Sequence, residues 1–349
     1  MAELLAVRGL RVDFATDRGP AQVLDGINLD VAAGEVVGLV GESGCGKTTL
    51  ARAILGVLPE SAARIRGGEV RFRGVDLLRQ DPAAVNEQVR GRAITFIPQD
   101  PFTSFSPLFQ VGTQIMDLMK WKSPRGRVRP AALFGRYPRA RRRADREAVL
   151  DTLRAVQIPE PTRALRRLPH EFSGGQRQRL MIAMALLPEP DLIIADEPTT
   201  ALDVTIQAQI LDLLRDLQKR FDLALLLITH DLGVVAEMGD RVAVMYAGWI
   251  VEQAAVRDLF RDPRHPYTRG LLASIPGGAP GSKLQAIQGT VPPLGKLPPG
   301  CAFAPRCPHR FEPCDKAVPG MTAIADLHIA RCYLYSPAVE PQVLAEEPR

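Results

Sequence analysis

The sequence predicts an α/β fold organised around a phosphate-binding loop. Residues Gly41 to Thr48 fit the pattern G-x-x-x-x-G-K-[ST]. The apolar run at 36–40 predicts a buried strand before the loop, and the run at 49–55 predicts a helix after it. Strand, glycine loop and helix together form the context that this motif requires. Further buried strands are predicted at 93–97, 191–197 and 223–229.

The glycines of this loop allow backbone N–H groups to approach phosphate oxygens closely. The following helix adds partial positive charge at its N-terminus. Lys47 is expected to reach the β- and γ-phosphates, and the Thr48 hydroxyl to ligate Mg²⁺. A glycine-rich turn that binds nothing is the alternative, which the flanking strand and helix disfavour. The predicted nucleotide-binding residues of the loop are Gly41, Ser43, Gly44, Cys45, Gly46, Lys47, Thr48 and Thr49.

Length and composition limit the class of protein. The 349 residues suffice for one large α/β domain and something smaller. No apolar run approaches the roughly 20 residues that span a bilayer, and no secretory signal is visible, so a cytoplasmic chain is expected. The net charge is +5, and the stretch 120–146 holds eleven Lys or Arg and one acid. Such a stretch can contact nucleic acid or an acidic membrane, but a solvated insertion is the favoured interpretation.

Polar and aromatic residues at strand ends are candidates for the nucleotide site. Alternating patterns at 10–14 and 27–31 predict paired strands, and Phe14 ends the first of them. Phe14 either stacks on a nucleotide base or is a half-buried strand aromatic. Gln99 follows the strand at 93–97, at the edge where open α/β sheets place ligands. It can ligate Mg²⁺ or hold the attacking water, or it is only a polar cap.

A helical subdomain is predicted to interrupt the α/β core. Helical periodicity covers 111–119, and a further helix is predicted at 145–156. The turn at Ser173 then opens a helix over 176–187. This turn offers a hydroxyl, glycine N–H groups and a helix N-terminus to an anion, although helix caps often have this sequence.

Two carboxylates end the next buried strand. Because neighbouring strand residues point to opposite sides, Asp196 is expected to face Mg²⁺ and Glu197 to polarise the attacking water. An acidic helix cap is the weaker alternative. His230 follows the strand at 223–229, where it is predicted to contact the γ-phosphate and orient Glu197. A polar cap is again the alternative. A hairpin at 242–252 should close the core.

The last part of the chain changes in composition. Residues 276–300 hold six prolines and six glycines, which predicts a loop or strap. Four cysteines follow with the spacing C-x5-C-x6-C-x17-C: Cys301, Cys307, Cys314 and Cys332. In a cytoplasmic protein such a cluster suggests a metal site before disulfides.

These motifs together resemble an ABC-type ATPase subunit. The set comprises the phosphate loop, Gln99, the Phe-Ser-Gly-Gly-Gln run at 172–176, Asp196, Glu197, Asp203 and His230. The resemblance implies a RecA-like phosphate-loop core with an antiparallel β subdomain, an inserted helical subdomain and a small cysteine-bearing C-terminal extension. The expected boundaries are 1–100 for the β subdomain and first part of the core, 101–175 for the helical subdomain, 176–260 for the second part of the core and 261–349 for the extension.

The resemblance also assigns roles. It implies a head-to-tail dimer with two sandwiched ATP molecules, in which Ser173, Gly175 and Gln176 serve the partner's nucleotide. Asp203 would couple the two sites, and Phe14 would stack on adenine. The implied catalytic residues are Glu197, His230 and Gln99, and the implied Mg²⁺ ligands are Thr48, Gln99 and Asp196.

A narrower resemblance is to the ATPases of peptide and nickel importers. The segments that carry it are 99–115, 196–205, 265–272 and 300–308. It implies an ATP-hydrolysing subunit at the cytoplasmic face of the membrane that powers peptide import. The implied partners are two integral-membrane permease subunits, a second and paralogous ATPase subunit and, indirectly, an extracytoplasmic solute-binding protein; nucleic acid is not expected. An importer of nickel or another small solute, a soluble ABC ATPase of DNA repair or translation, and a non-catalytic regulatory subunit are the alternatives.

In that family the cysteine-bearing tail can hold a [4Fe–4S] cluster. Four thiolates are the right number of ligands, and the short Cys pairs typical of structural zinc sites are absent. The prediction is therefore one [4Fe–4S] cluster on the four cysteines, with reduced thiols that bind nothing as the alternative.

Overall fold

Antiparallel strands come first in the chain, and strands that alternate with helices follow. The computed structural model describes residues 3–17, 19–125, 137–200, 202–275, 287–293 and 295–336. Within them the strands are β1 (Glu3–Thr16), β2 (Gly19–Ala32), β3 (Val36–Val40), β4 (Ala63–Phe72), β5 (Val75–Asp76), β6 (Ile94–Ile97), β7 (Leu192–Asp196), β8 (Ala224–Thr229), β9 (Arg241–Tyr246), β10 (Trp249–Ala255), β11 (Thr322–Ala325) and β12 (His328–Ala330).

The helices of the same described residues fall mainly between β6 and β10. They are α1 (Lys47–Leu55), α2 (Pro82–Gln88), α3 (Val111–Lys122), α4 (Arg139–Ala155), α5 (Pro161–Ala164), α6 (Gly174–Leu186), α7 (Val204–Phe221), α8 (Leu232–Met238), α9 (Val256–Arg261), α10 (Pro266–Ala273) and α11 (Pro313–Lys316). No helix in the described ranges is both long enough and apolar enough to cross a membrane.

The described residues form two compact units. The helical unit comprises residues 3–4, 31–35 and 76–228, and the phosphate-loop unit comprises residues 5–30, 36–75 and 229–336. The domain boundaries expected from the sequence are a finer division than these two units, and they stay a prediction.

Two β-structures build the phosphate-loop unit. β1 pairs antiparallel with β4, from Leu5 opposite Phe72 to Phe14 opposite Ala63, and the sheet order is β2-β1-β4-β5. In the second structure β3 runs parallel to β9, and β10, β12 and β11 continue it in antiparallel order. The predicted hairpin is confirmed, because Ala247 and Gly248 join β9 to β10 with positive φ at both turn residues.

Three parallel strands form the sheet of the helical unit. β7 pairs with β6 on one side and with β8 on the other. All residues of β7 and β8 are buried, as expected for strands that helices cover on both faces. The strands predicted at 93–97, 191–197 and 223–229 are thus confirmed to within two residues.

Helix α4 begins earlier than the sequence indicates. The predicted start is residue 145, whereas the helix starts at Arg139, directly after Pro138. The arginines between them are good helix formers, so the basic run continues the helix instead of delaying it. Residues 126–136 of the basic stretch lie outside the described residues.

A buried carboxylate joins the ends of α3 and α4. Asp145 is fully buried and accepts hydrogen bonds from Ser123 Oγ at 2.6 Å and Tyr137 Oη at 2.7 Å. Arg141 Nε donates to the same carboxylate at 3.2 Å and supplies the compensating charge. Burial and the Asp145 carboxylate raise the pKa of Tyr137, so its hydroxyl remains a donor.

We expect Asp145→Ala to lower the free energy of unfolding by about 3–5 kcal/mol, because it leaves a mostly buried guanidinium and two hydroxyls without their acceptor. Urea unfolding measures the change. Asp151→Ala is the matched control, since the Asp151 pair with Arg154 on the same helix is exposed and is expected to change stability by less than about 1 kcal/mol. Equal effects of the two substitutions would contradict the assignment.

Candidate functional site

The phosphate loop has no room for side chains where it meets β9. A Cβ atom on Gly41 would lie 2.2 Å from the carbonyl oxygen of Met245. Gly46 has φ of 107°, and a Cβ there would come within 2.9 Å of the Met245 side chain. The N–H of Gly248 donates to the Cys45 carbonyl at 2.9 Å. These contacts explain why the loop carries glycine at both positions.

Lys47 lies inside the loop that precedes it. Its ammonium is mostly buried and donates to the carbonyls of Gly41 at 2.7 Å and Glu42 at 3.1 Å. The N–H groups of Lys47, Thr48 and Thr49 occupy the first turn of α1, where no helical acceptor exists. The first turn holds no acidic residue. Cation and N–H groups therefore make an anion site at this helix N-terminus.

The remaining predicted loop residues divide by burial. Ser43 and Gly44 are exposed at the tip of the loop, whereas Cys45 is buried beneath it. Burial raises the pKa of the Cys45 thiol, which therefore packs as a small neutral group.

In the helical unit, one hydrogen-bond network fixes the carboxylate of Glu197. Gln99, just after β6, donates from Nε2 to Glu197 Oε2 at 2.9 Å, and Thr200 Oγ1 donates to the same oxygen at 3.0 Å. The Glu197 N–H donates to the Ile228 carbonyl at 2.8 Å. Asp196 is buried at the end of β7. The structure therefore brings Gln99 and Glu197 together, as a shared role in hydrolysis requires.

The backbone at Glu197 differs from the expectation. Strand alternation predicts that the two carboxylates face opposite ways, but β7 ends at Asp196 and Glu197 has φ of 47°. This left-handed conformation is uncommon for a residue other than glycine and is typical of strained functional sites. Strand alternation therefore does not determine where the Glu197 side chain points.

The Ser-Gly-Gly turn forms a capping box. Ser173 Oγ accepts from the Gln176 N–H at 3.3 Å, and Gln176 Oε1 accepts from the Ser173 N–H at 3.2 Å. A Cβ on Gly175 would lie 2.7 Å from Ile206 of α7, so this residue must be small. Asp203 caps α7 by accepting from the Ile206 N–H at 2.9 Å. The cap and the anion-site interpretation are compatible, because the Ser173 hydroxyl still carries a proton to donate.

Two predicted residues lie at strand ends in the phosphate-loop unit. Phe14 is half-buried near the end of β1, opposite Ala63. His230 is exposed directly after β8. Their nucleotide roles stay predictions.

Sequence reasoning missed three residues that contact the site. Thr200 holds Glu197, and its spacing of three residues from that carboxylate is a signal that could have identified it. Tyr267 Oη accepts from the N–H of Glu42 at 2.9 Å, and Arg306 pairs with the Glu42 carboxylate. No local pattern indicates these two, because they lie more than 200 residues from the loop in sequence.

Two family profiles match the chain. One, described as an ABC transporter, matches residues 24–200. The chain belongs to the ABC transporter family. The other, described as the C-terminal region of oligopeptide/dipeptide transporters, matches residues 251–314.

Curated relatives match this ABC transporter chain along nearly its whole length. The dipeptide transport ATP-binding protein of Bacillus subtilis (strain 168) is 44% identical over 346 residues, which cover 99% of this chain and 98% of the relative. A probable peptide ABC transporter ATP-binding protein of Sinorhizobium fredii is 48% identical over 332 residues, which cover 95% and 94%.

Solved structures agree on the fold. A dimeric ATP-binding cassette in a post-hydrolysis state with ADP and Pi matches with a TM-score of 0.60 and 25% identity, covering 73% of this chain and 99% of that one. A cassette from a Clostridium perfringens ABC transporter complex matches with a TM-score of 0.59 and 25% identity, covering 75% and 92%. The predicted ABC-type ATPase fold, ATP binding and ATP hydrolysis are confirmed.

The prediction of an iron–sulfur cluster is wrong. Cys301, Cys307, Cys314 and Cys332 line one pocket, but it offers only about 10 Å³, the room of a single water molecule. Within the described residues no group of three or more His, Cys, Asp or Glu is arranged to hold a metal ion. The matching family profiles and relatives are ABC ATPases.

The cysteines behave as small apolar groups in this pocket. Each of them is a free thiol. Burial raises the pKa of Cys307 to about 11 and that of Cys332 to about 12, so both thiols carry their proton in this pocket. Phe303, Phe311 and Leu334 are among the other lining residues.

A buried histidine lines the same pocket. His265 is fully buried, and its Nδ1 accepts from the Tyr267 N–H at 3.1 Å, which caps α10. Burial lowers the pKa of His265 to about 3, so the folded protein keeps it neutral. The unfolded chain takes up a proton near pH 6.5, and the contribution of His265 to stability is therefore complete above that pH and is lost as the pH falls below it.

We expect His265→Asn to flatten the pH dependence of stability. Between pH 7 and pH 5 the wild-type free energy of unfolding should fall by about 2 kcal/mol more than that of the variant, because only the wild type gains a proton here on unfolding. Asparagine keeps a capping acceptor. Denaturant unfolding at a series of pH values measures the slope, and His170→Asn, at an exposed histidine, serves as the control. A variant with the wild-type slope would show that His265 does not titrate in this way.

Proposed function

We propose that the chain is the ATP-binding and ATP-hydrolysing subunit of an ABC importer for peptides. The observation that carries this proposal is the match of residues 251–314 to the C-terminal region of oligopeptide/dipeptide transporters. An ATPase cassette alone is common to the whole family, whereas this region is described for one group of transporters. Relatives named for dipeptide and peptide transport support it over nearly the full length. An importer of nickel or another small solute stays the alternative.

The geometry supports a division of chemical roles. Lys47 and the first-turn N–H groups of α1 offer positive charge to the phosphates of ATP. Gln99 and Thr200 hold the carboxylate of Glu197, and we assign this carboxylate to polarising the attacking water. We assign His230 to the γ-phosphate, as its place after β8 suggests.

For Mg²⁺ we propose three ligands on the chemistry of their donor atoms. Thr48, Gln99 and Asp196 supply a hydroxyl, an amide and a carboxylate oxygen, which are the hard ligands that this ion prefers. Because Gln99 turns its amide nitrogen toward Glu197, its amide oxygen remains for a metal. The ion would neutralise charge on the phosphates.

A head-to-tail dimer is part of the proposal. Dimeric cassettes with the same fold support it. In this arrangement the turn of Ser173, Gly175 and Gln176 serves the nucleotide of the second ATPase subunit, for which we propose a paralogue. Asp203 caps the helix whose residue Ile206 packs against Gly175. We propose that Asp203 couples the two sites.

We further propose that permease subunits dock on the helical unit, at the cytoplasmic face of the membrane. Phe102, Leu108 and Phe109 are large apolar residues with exposures of 50%, 81% and 56%, and they lie between Gln99 and α3. Exposed apolar groups of this kind mark interaction surfaces. An extracytoplasmic solute-binding protein would act through the permeases only.

The finer domain organisation also belongs to the proposal. We propose an extension from residue 261, whose described residues include Ala302 and Phe303 in one buried cluster with β9 and β10. The packing supports a small cysteine-bearing extension that has no core of its own.

We expect Glu197→Gln to keep ATP binding and to lower hydrolysis by about 10²–10⁴-fold, because only the water-polarising carboxylate is lost. Lys47→Ala should instead weaken ATP binding itself. Nucleotide affinity and steady-state ATPase rates of the assembled complex measure both effects. Glu160→Gln, at an exposed glutamate of the helical unit, is the control, and near-normal turnover of Glu197→Gln would remove Glu197 from catalysis.

Ser173→Arg tests the head-to-tail dimer. We expect normal ATP binding at the phosphate loop of the same chain but loss of closure and hydrolysis at the opposite site, because a bulky cation replaces a small hydroxyl. Ser173→Ala removes the same helix cap without the bulk and should impair hydrolysis less. A Ser173→Arg protein that loses ATP binding at its own loop, yet still closes, would contradict the arrangement. ATP-dependent dimerisation and ATPase assays give the two readouts.

A further inference from the structure

The second residue of the phosphate loop is held by side chains from far along the chain. The N–H of Glu42 donates to Tyr267 Oη at 2.9 Å. Its carbonyl accepts from Lys47 at 3.1 Å. Its carboxylate accepts two hydrogen bonds from Arg306, at 2.7 Å from Nη1 to Oε2 and at 3.0 Å from Nη2 to Oε1. Every polar group of Glu42 thus has a partner, and two of the partners, Tyr267 and Arg306, come from beyond residue 260.

Arg306 is fixed for this contact. Its side chain is only 5% exposed, which is rare for arginine. Besides the two bonds to Glu42, Nε donates to the Gln288 carbonyl at 2.9 Å, Nη1 lies 3.4 Å from Tyr246 Oη, and Nη2 lies 3.5 Å from the Ile287 carbonyl. The fork of five N–H donors is therefore fully used. The hydrogen bonds that Arg306 donates to the Glu42 carboxylate raise the pKa of Arg306, so it stays charged.

An aromatic platform holds the guanidinium in place. The Arg306 guanidinium carbon lies 5.8 Å from the Tyr246 ring centre and 5.9 Å from that of Phe303. Tyr246, Tyr267 and Phe303 pack on one another with ring centres 4.6 to 5.4 Å apart. The same cluster thus carries Arg306 and the Tyr267 hydroxyl that binds Glu42.

The contact between Arg306 and Glu42 affects the phosphate-binding site, because Glu42 helps to position the Lys47 ammonium. The carbonyls of Gly41 and Glu42 are the acceptors of the Lys47 ammonium, so a shift of Glu42 changes where that ammonium lies. The Glu42 carboxylate also places a negative charge in a loop that binds anionic phosphates. Arg306 neutralises this charge and holds the residue at one position.

We infer that Arg306 is a positioning residue for the phosphate loop: its bidentate pair with Glu42 holds and neutralises the loop in the form that binds ATP, so that ATP affinity depends on the C-terminal region. This inference rests on the proposed ATPase function. Arg306 acts through Glu42 and does not touch the nucleotide. A lysine would keep the charge but not the two parallel bonds.

Binding of the fluorescent analogue mant-ATP with Mg²⁺ to the full-length chain tests the inference. We expect Arg306→Met to weaken affinity about 10-fold, because a charged, paired group in the loop loses its partner. The KM for ATP should rise similarly, while kcat at saturating ATP changes by less than about 3-fold. Arg310→Met is the matched control, since that arginine is 51% exposed and pairs with Asp315 in the same region; it should bind like the wild type.

The double variant distinguishes positioning from a general loss of stability. When Glu42→Gln is added to Arg306→Met, no unpaired carboxylate remains, and affinity should recover by several-fold relative to Arg306→Met alone. Arg306→Lys should lie between Arg306→Met and the wild type.

Each outcome of the binding experiment either supports or overturns the inference about Arg306. A folded Arg306→Met protein with wild-type affinity overturns the inference, and so does a double variant that is weaker than Arg306→Met. Should Arg306→Met not fold, Arg306→Lys decides: lowered affinity supports the inference and wild-type affinity overturns it. Wild-type affinity in Lys47→Ala would instead refute the proposed ATP-binding function, whichever result Arg306 gives.

Discussion

The phosphate loop takes its shape from the lack of space between its glycines and the end of β9. A Cβ on Gly41 would clash with the Met245 carbonyl, and Gly46 has a positive φ that disfavours a side chain. The Cys45 carbonyl is bonded to the turn that follows β9. Within the loop packed in this way, the Lys47 ammonium donates hydrogen bonds to the carbonyls of Gly41 and Glu42. A motif of eight residues therefore acquires its geometry from a strand that lies about two hundred residues further along the chain.

Elements that depend on local bonds were the ones that sequence reasoning predicted well. The helix after the loop and the cap at Ser173 need only hydrogen bonds within a few residues, and both are in place. The strand before Asp196 is a continuous apolar run, which has few alternatives. The start of α4 is harder to predict, because an arginine-rich run lacks the apolar periodicity that indicates a helix. Arginine nevertheless has a high helix propensity, and the helix starts at Arg139. The left-handed turn at Glu197 could not be predicted, since it depends on the bond from its N–H to Ile228 on the next strand.

The sequence spacing of the four cysteines does not show whether a metal ion fits between their thiols. Four thiols at suitable intervals state how many ligands a site can have, but they say nothing about the space between them. Here apolar neighbours such as Phe303 and Phe311 close that space, and burial raises the pKa of Cys307 and Cys332. A metal needs the opposite environment, with room for the ion and groups that favour thiolates. The same residues thus serve as small core side chains instead.

One short piece of backbone carries residues that line the cysteine pocket and the residue that contacts the phosphate loop. Ala304 and Cys307 line the cysteine pocket, and Arg306, between them in sequence, pairs with Glu42. The turn Ala304–Arg306 is a single 3₁₀ turn, so its two sides cannot move independently. A larger side chain at Cys307 would have to displace this turn, because close-packed interiors transmit such changes and do not absorb them. The size of a buried thiol therefore helps to determine where the guanidinium lies. The packing of the cysteine pocket therefore affects the position of Arg306, the residue that holds the phosphate loop through Glu42.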